Sequence, residues 1–554
     1  MNRLLSTRYL PAPIAKPRVV FDMAFQTSYE KRPQSLVSGA GLSLASQLIS
    51  QGAGIPLFTT PLFRQPIDKF RTLQFKNRAL QEQTKLPEDL KDQDKPLFFA
   101  LTLYDSYFYD AQAEIKHIKK LYPHAKIIVG GPSVNTRDDL AGLASFFPEV
   151  TAFVRGDGEK VFAPLIQALS RPEGIDKEVI RQLSGVHVQD GDFVFTDNTK
   201  NRLQKAEFDR LPLLPPISAL IDDIKKVGML SLHTSRSCLY RCFFCSHQYR
   251  TPITWSAERI VQELGRIKEM IENGILPKEA RHIHFNDDDF FGHRQKAKDF
   301  LRLVAKDPGL NEYFSFSFQG SVASFFDQQN HLDRRLLQLL TKIKTNFINI
   351  GTDGFSQRSY AALGKTGSWR MANTLIRALA ARKITQSHYA ILTHPESTRG
   401  EIINNILNIT HHLEKTDGFN VVINIFVTAY EGTPFMEKAD ELGMTRFAIS
   451  PTGARIKLPV RLLPRNKELT RDLLTALKVR SPSLRMMNRI QRSITDPEEA
   501  KDFSRGRERI RLAREFTINN KIYSREKPLQ EGALGELGLL LMGEELEPLQ
   551  FRQP

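Results

Sequence analysis

The 554-residue sequence predicts an α/β protein: a doubly wound, Rossmann-like parallel sheet, a second series of strand–helix units, and a small helical C-terminal region. Three observations predict it. Short apolar runs alternate with longer amphipathic ones, the pattern of strands buried between helices in parallel sheets. The alternation occurs twice, broken at Leu211-Pro212-Leu213-Leu214-Pro215-Pro216, a semi-rigid proline-rich stretch. Beyond Pro451 it gives way to basic segments with helical spacing at about 467–479 and 497–516. These breaks define a domain over 17–200, a linker over 201–228, a second domain over 229–450 and a mostly helical region over 451–554.

In the first domain, strands are expected at 17–22, at Ile55–Thr60, at Leu97–Leu103, at Ala125–Val129 and at 150–154, with a hairpin over 186–196 turning at Asp190-Gly191-Asp192. Helices are expected at Ser38–Gly52, within the polar stretch 64–95, and near 110–121, 137–146 and 160–170. Ligands of such sheets bind at the carboxyl ends of the strands. Glycines stand there, Gly130-Gly131 after one strand and Gly156 and Gly158 after the next, and glycine lets backbone and ligand approach closely.

The second domain repeats strands at about 229–235, 281–286, 313–319, 346–351, 387–392 and 420–427, with helices at about 256–273, 293–305, 331–343, 368–382 and 398–415. All three cysteines follow its first strand, in Arg-Ser-Cys238-Leu-Tyr-Arg-Cys242-Phe-Phe-Cys245-Ser-His. Three thiolates in a short loop can converge on one metal centre, an iron–sulfur cluster or a zinc ion, the latter completed by His233 or His247. On a four-iron cluster they would leave one iron open.

The Cys-x3-Cys-x2-Cys loop resembles that of radical S-adenosylmethionine (radical SAM) enzymes. The resemblance implies a 4Fe-4S cluster held by Cys238, Cys242 and Cys245, SAM on the open iron, and Phe244 against its adenine. Six strand–helix units then suit an open, partial (β/α)6 TIM-type barrel better than a closed eight-fold one. His284-Phe-Asn-Asp287-Asp288-Asp289-Phe resembles the family's second strand end, implying Asp287 or Asp288 as acceptor for the SAM ammonium; a solvated turn or a divalent-metal site are the alternatives. Asn349-Ile-Gly-Thr-Asp353-Gly resembles the fourth strand end, where relatives carry Glu-Ser, and implies a polar SAM contact at Asp353. His394-Pro-Glu-Ser-Thr398 and Glu431-Gly-Thr-Pro434 resemble the last two turns, and Thr398 also suits a helix N-cap.

Upstream, Ile-Val-Gly130-Gly131-Pro-Ser-Val and Phe-Val-Arg-Gly156-Asp-Gly158-Glu resemble the cobalamin-binding domain that precedes many radical SAM domains, and Thr102 falls where that family has Ser-x-Leu. The resemblance implies cobalamin contacts at Thr102, Gly130, Gly131, Gly156 and Gly158. The alternative is a generic doubly wound sheet whose glycines only cap turns. The domain lacks Asp-x-His-x-x-Gly, and His117, His124 and His187 stand in other contexts, so cobalamin would bind without a histidine ligand or the fold has outlived the cofactor.

Composition narrows the classes. With 41% hydrophobic and 25% charged residues the chain is that of an ordinary soluble globular protein. No apolar run approaches the roughly 20 residues that span a bilayer. The N-terminus is too short and interrupted for a secretory signal, and reduced thiols point to the cytoplasm. The net charge of +16 permits an anionic partner, but aromatic side chains for stacking bases are sparse in the basic C-terminal region, which disfavours nucleic acid. The tail, about 529–548, is leucine-rich and acidic and reads as a docking helix or a disordered end. Three cysteines exclude relatives needing a second cluster or a methylated cysteine. What remains is cobalamin-dependent methylation of an unactivated carbon, cobalamin-independent radical SAM rearrangement or cyclisation, or a non-catalytic zinc-stabilised binding protein. Either enzyme would act on a small-molecule or peptide substrate and draw electrons from an external donor such as flavodoxin or ferredoxin. No catalytic side chain is assigned at this stage.

Overall fold

The computed structural model describes residues 18–22, 57–59, 96–105, 108–171, 174–211, 218–246, 252–470, 473 and 522–524. The helices expected at 38–52, 64–95 and 497–516, the tail at 529–548 and the prolines of 212–217 lie outside these residues. The chain forms two compact units, one of residues 1–26, 35–223 and 448–456, the other of 27–34, 224–447 and 457–554.

The first unit is built on a seven-stranded sheet. In chain order its strands are β1 (Arg18–Asp22), β2 (Leu57–Thr59), β3 (Leu97–Thr102), β4 (Lys126–Gly130), β5 (Ala152–Val154), β6 (Val186–Asp190) and β7 (Phe193–Thr196). Their spatial order is β2-β1-β3-β4-β5-β6-β7. The first five are parallel, and β6 and β7 form an antiparallel hairpin whose turn holds Gly191 at φ 58°. Continuous burial of Leu97, Phe98 and Phe99 explains why β3 is apolar without alternation: both of its faces are covered. Helices α1 (Phe108–Leu121) and α2 (Phe162–Leu169) flank the sheet, and α2 packs Leu165 and Ile166 against Phe98, Ile128 and Ala152.

Two expectations change here. The helix expected over 137–146 is shortened to Leu140–Ala144, and a separate short helix, Pro132–Thr136, precedes it, with Arg137 between them in an extended backbone. Its guanidinium makes a 2.6 Å ion pair with Asp105, both side chains nearly buried, and this tie fixes the turn between the two pieces. The expected linker holds helices at Lys205–Asp209, closed by a Gln204/Glu207 capping box, and at Ser218–Val227, which buries Leu220 and Ile224.

The second unit contains β8 (Leu230–Leu232), α3 (Ala257–Glu272), β9 (His282–Phe285), α4 (Arg294–Lys306), β10 (Ser315–Ser321), α5 (Arg334–Lys342), β11 (Thr345–Asp353), α6 (Trp369–Ala380), β12 (Thr385–Thr393), α7 (Arg399–Lys415) and β13 (Phe419–Phe426). Strands β8 to β13 lie side by side in sequence order and are parallel. Ser256, Asp333, Ser368 and Thr398 cap α3, α5, α6 and α7, each accepting a backbone N–H three residues on. Alternate strand residues, among them Phe285, Phe316, Phe318, Ile348 and Ile350, are fully buried. Phe300 of α4 packs edge-on against Phe285 and Phe316, so this is the helix-facing side.

A seventh strand, β14 (Ile522–Ser524), pairs antiparallel with β13 through Val421 and Tyr523. Strands also occupy Arg455–Leu458 and Val460–Arg461, so within 451–554 the described residues include extended structure as well as the helical residues from 467. Period-two alternation in Ile456, Leu458 and Val460, all buried, with Lys457 and Pro459 between them, accounts for it. Among the described residues no helix is long and apolar enough to cross a membrane.

Candidate functional site

The cysteine loop leaves β8 at His233 and is held at its base by a short antiparallel ladder, Ser235 opposite Thr254 and Arg236 opposite Ile253. Trp255 N donates to Thr234 O at 2.8 Å, closing the same base. Within the loop Cys238, Cys242 and Cys245 are half-buried and carry no disulfide. Ser237, immediately before the first of them, has φ 72°, a left-handed conformation that a non-glycine residue adopts at some cost. Its buried hydroxyl has no hydrogen-bond partner.

Three carboxylates and one lysine set the electrostatics. Asp287, fully buried, accepts from Thr234 N and Thr234 Oγ1, each at 2.6 Å, and from Ser235 N at 2.9 Å. Lys296 stands 3.7 Å from it. Both Asp287 oxygens are thus committed to fastening the first strand end to the second. Asp288 is half-exposed. Asp289, two residues on, is buried, and Ser324 Oγ donates to its Oδ2 at 2.5 Å while also meeting Tyr240 Oη at 2.9 Å. The Oδ1 atom of Asp289 has no well-formed hydrogen bond, although the backbone N–H groups of Ser321 and Phe291 point toward the carboxylate. Burial pushes the Asp289 carboxyl up to about 6.

Asp353 ends β11 at φ 57° and makes a 2.8 Å ion pair with Lys365, the two side chains 11% and 5% exposed. Although burial opposes its charge, Asp353 and then Cys242 and Tyr360 hold Lys365 protonated well above the ordinary lysine range. Lys365 reaches the Cys242 thiol as well, and works against the burial that raises that thiol. Burial, and next the charge of Asp289, push the Cys238 thiol up to about 12. A metal-free loop therefore favours thiols, and only a bound cation would make thiolates favourable here.

The loop's aromatic residues are divided between two tasks. Phe244 is half-buried against Leu363, Ile391 and Val427. Phe243 donates its N–H to Leu363 O at 3.0 Å, and its ring lies edge-on to Phe435 with centroids 6.5 Å apart. A Cβ on Gly364, which has φ 62°, would stand 2.4 Å from that ring, so the turn before Lys365 needs glycine there. Among the described residues no three His, Cys, Asp or Glu side chains are gathered closely enough to ligate a single metal ion. His233, named above as a fourth zinc ligand, instead meets Asn286 Nδ2 at 3.3 Å, and His247 lies outside the described residues.

At the carboxyl edge of the first unit's sheet the glycines serve the unit's own packing. Gly131 has φ 102°, and a Cβ there would meet Thr102 Cγ2 at 2.6 Å. Gly156 has φ 89° and pairs with Asn201, whose carbonyl oxygen a Cβ would approach to 2.1 Å. Gly130 faces Val154 O, and Gly158 opens a single 3-10 turn behind Asp157, whose Oδ2 accepts from Leu203 N at 2.7 Å. At this edge Thr102 is half-exposed, and the buried Ser133 hydroxyl has no hydrogen-bond partner. His187 is buried and bonded to Thr196 Oγ1 at 2.7 Å within the hairpin.

Sequence reasoning passed over Lys365, Asp289 as the carboxylate with a free oxygen, and Ser133. Asp289 and Ser133 stand inside motifs quoted above and Lys365 twelve residues beyond Asp353, but only the fold shows which partners each has.

No protein-family model matches the chain. An uncharacterized methyltransferase of Pyrococcus horikoshii is 24% identical over 314 residues, covering 55% of this chain. The match spans 62% of that protein's length. Among solved structures, the cobalamin-dependent SAM radical enzyme OxsB, with aqua-cobalamin and SAM bound, superposes with a TM-score of 0.59 at 14% identity, covering 96% of this chain and 80% of that one. The radical SAM methyltransferase TsrM from Kitasatospora setae, with tryptophan and a SAM analogue bound, also gives 0.59 at 14% identity, covering 82% and 87%. The chain shares the fold of these enzymes. At this identity the likeness concerns the fold, and chemistry has to be argued from the site itself.

Proposed function

We propose that this protein is a radical SAM enzyme with a single 4Fe-4S cluster and that it methylates an unactivated carbon with the help of cobalamin. The observation that carries the reading is the loop itself: three half-buried thiols at the carboxyl end of β8, flanked by a buried carboxylate with a free oxygen and a buried ammonium. The finer architecture follows, a doubly wound cobalamin-type domain over 17–200 and a partial (β/α)6 barrel over 229–450.

When bound, the cluster supplies the electron that cleaves SAM, and cobalamin supplies the methyl group. The chain's residues bind and orient. Cys238, Cys242 and Cys245 hold the cluster, and the Lys365 ammonium offsets negative charge at Cys242. Asp289 Oδ1 is the acceptor we assign to the SAM ammonium, with half-exposed Asp288 beside it, a charge-assisted pairing that would also stabilise the ionised Asp289. Asp287 acts indirectly by fixing Thr234 and Ser235, and Asp353 by holding Lys365. Phe244 offers a half-buried ring for the adenine. In the first unit, Ser133 offers an unpartnered hydroxyl, and half-exposed Thr102 a second one, to a polar ligand beside Gly130 and Gly131. The reading implies a reducing, cytoplasmic setting, an external electron donor such as flavodoxin or ferredoxin, and a small-molecule or peptide substrate.

One observation favours cobalamin-independent radical chemistry instead: Gly131 and Gly156 already accommodate the unit's own chain. Anaerobic reconstitution decides between the readings. About four irons per chain, with SAM cleaved to 5′-deoxyadenosine, is expected; zinc without iron would sink the enzyme reading. A cobalamin spectrum and methyl transfer on the same sample support the first form, and their absence beside intact SAM cleavage leaves the second.

A further inference from the structure

Opposite its helix-facing side, the sheet of the second unit presents a layer of neutral polar residues at one level. The strand registers align Gln319 with Asn349, Asn349 with Ser387, and Ser387 with Asn420. One step beyond the paired Leu232 and Phe285, His233 and Asn286 continue the layer. All six positions are half-buried or exposed, whereas their sequence neighbours Phe285, Phe318, Ile348 and His388 are fully buried on the other side. None of the six carries a formal positive or negative side chain.

Among the described residues the side chains of Gln319, Asn349 and Ser387 meet no hydrogen-bond partner, while Asn420 reaches only backbone carbonyls. Adjacent strands lie about 4.8 Å apart, so the Gln319 and Asn349 carboxamides stand side by side, each offering a donor and an acceptor. Below them the ring of His284 stacks on Phe347, with centroids 5.7 Å apart and planes 13° from parallel. Burial keeps His284 neutral, lowering it to about 4, so no charge enters from beneath. Above them, Asn349 lies two residues before Gly351, where a Cβ would stand 3.5 Å from both Lys365 Nζ and Asp353 Oδ2.

We infer that this layer binds an uncharged, planar donor–acceptor edge of the substrate, a carboxamide or lactam, with Gln319 and Asn349 as the residues that read it. Two carboxamides side by side match such an edge, as Asn and Gln match the edge of a base. An ionised substrate group would find no counter-charge in the layer and would lose its hydration. That this face is the substrate side rests on the radical SAM reading; the binding itself does not.

The test uses the full chain and ligand-observed saturation-transfer NMR with four probes: benzamide, uracil, benzoate and benzylamine at neutral pH. Benzamide or uracil is expected to bind and the two ions to bind at least about tenfold more weakly, an equilibrium difference of about 1.4 kcal/mol. Benzamide binding indicates a carboxamide and uracil binding a lactam of the nucleobase kind. Asn349→Leu is expected to weaken the bound probe about tenfold with the far-UV spectrum and iron loading unchanged, and Gln319→Met serves if the first variant misfolds. Benzoate or benzylamine binding as well as the amides, binding by none of the four, or a neutral probe unaffected in both folded variants would overturn the inference. Iron content and SAM cleavage, measured separately, report on the radical SAM reading alone.

Discussion

The carboxyl edges of the two sheets began as equals in the sequence, each marked by strand-end motifs, and the structure treats them differently. In the first unit the edge is closed by its own chain. Asn135 Oδ1 accepts from Gly156 N, Asn201 bridges Gly156, and Lys200 Nζ donates to Asn135 O. In the second unit the edge gathers three cysteines, a buried Asp289 whose Oδ1 has no well-formed hydrogen bond, and a lysine held charged beside Cys242. Residue type at a strand end does not by itself make a site. What distinguishes the two edges is what the polar groups are paired with: backbone of the unit's own strap in the first, a buried ion pair beside a thiol in the second.

Breaking the charge pair of the second edge should give the largest effect. Lys365→Met leaves the nearly buried Asp353 carboxylate without its partner, and removing one member of such a pair typically costs about 3–5 kcal/mol. The protein's two tryptophans, Trp255 and Trp369, both belong to the second unit, so intrinsic fluorescence in a urea titration reports on that unit directly. A midpoint unchanged from wild type would show that Lys365 does not support the edge. Asp353→Asn combined with Lys365→Met should recover much of the loss.

The first edge is tested at Gly156. An added Cβ meets Asn201 O at 2.1 Å in a left-handed conformation, so Gly156→Ala should cost about 2–3 kcal/mol and release the strap around Asn201. Hydrogen exchange in the 152–160 and 198–203 segments should accelerate together. By contrast Gly265→Ala, inside α3 with nothing within 4 Å, should be neutral or stabilise by up to about 1 kcal/mol. If both substitutions leave exchange in the two segments unchanged, the strap is not what closes the first edge.

The difference in legibility between the edges has the same origin. The positions of β8 to β13 and the placement of the cysteine loop after β8 could be read from periodicity, because helix-facing residues such as Phe285 and Phe318 impose a local alternation. Partnerships were not legible. Asp287 and Asp289 are two letters in one acidic run, and only their different neighbours, Thr234 and Ser235 for one and Ser324 for the other, separate their roles. The pairing of β13 with β14 joins residues about a hundred positions apart, and the Arg137–Asp105 tie between two short helices spans 32. Such contacts leave no local periodicity to detect.

Acidification should act on both units, since burial lowers His117 and His187 of the first as well. In the second, burial lowers His388 to about 3 and His412 and His284 to about 4, all below the ordinary 6.5. With folded values below the unfolded one, their contribution is present above pH 6.5 and is lost as pH falls toward 4, because the unfolded chain takes up protons that the native sheet refuses. Each such histidine adds a slope of about 1.4 kcal/mol per pH unit in that window. Tryptophan-detected stability should therefore fall steeply between pH 6.5 and 4.5. His388→Gln should be less stable at pH 7.5, having disturbed the bonds to Thr352 and Gln386, yet show a shallower decline. An equal slope in the variant would mean that His388 is not neutral in the folded protein.

The smallest effect on stability is expected at the residue that most sharply distinguishes the second edge. Burial raises the folded value of Asp289 to about 6, so its contribution runs opposite to that of the histidines: it is present below about pH 4 and is lost as pH rises through 6. At pH 7.5 the ionised carboxylate is thus a mild liability in the metal-free chain. Asp289→Asn keeps the shape and an oxygen for Ser324, and should leave stability unchanged or raise it by about 1 kcal/mol. If Asp289 is reserved for a cationic group, the same substitution should weaken SAM binding to the reconstituted protein about tenfold, the loss of a charge-assisted bond. A stabilised chain with weakened SAM binding marks a carboxylate kept for a ligand, whereas a destabilised chain with unchanged binding would make Asp289 a structural residue like Asp287.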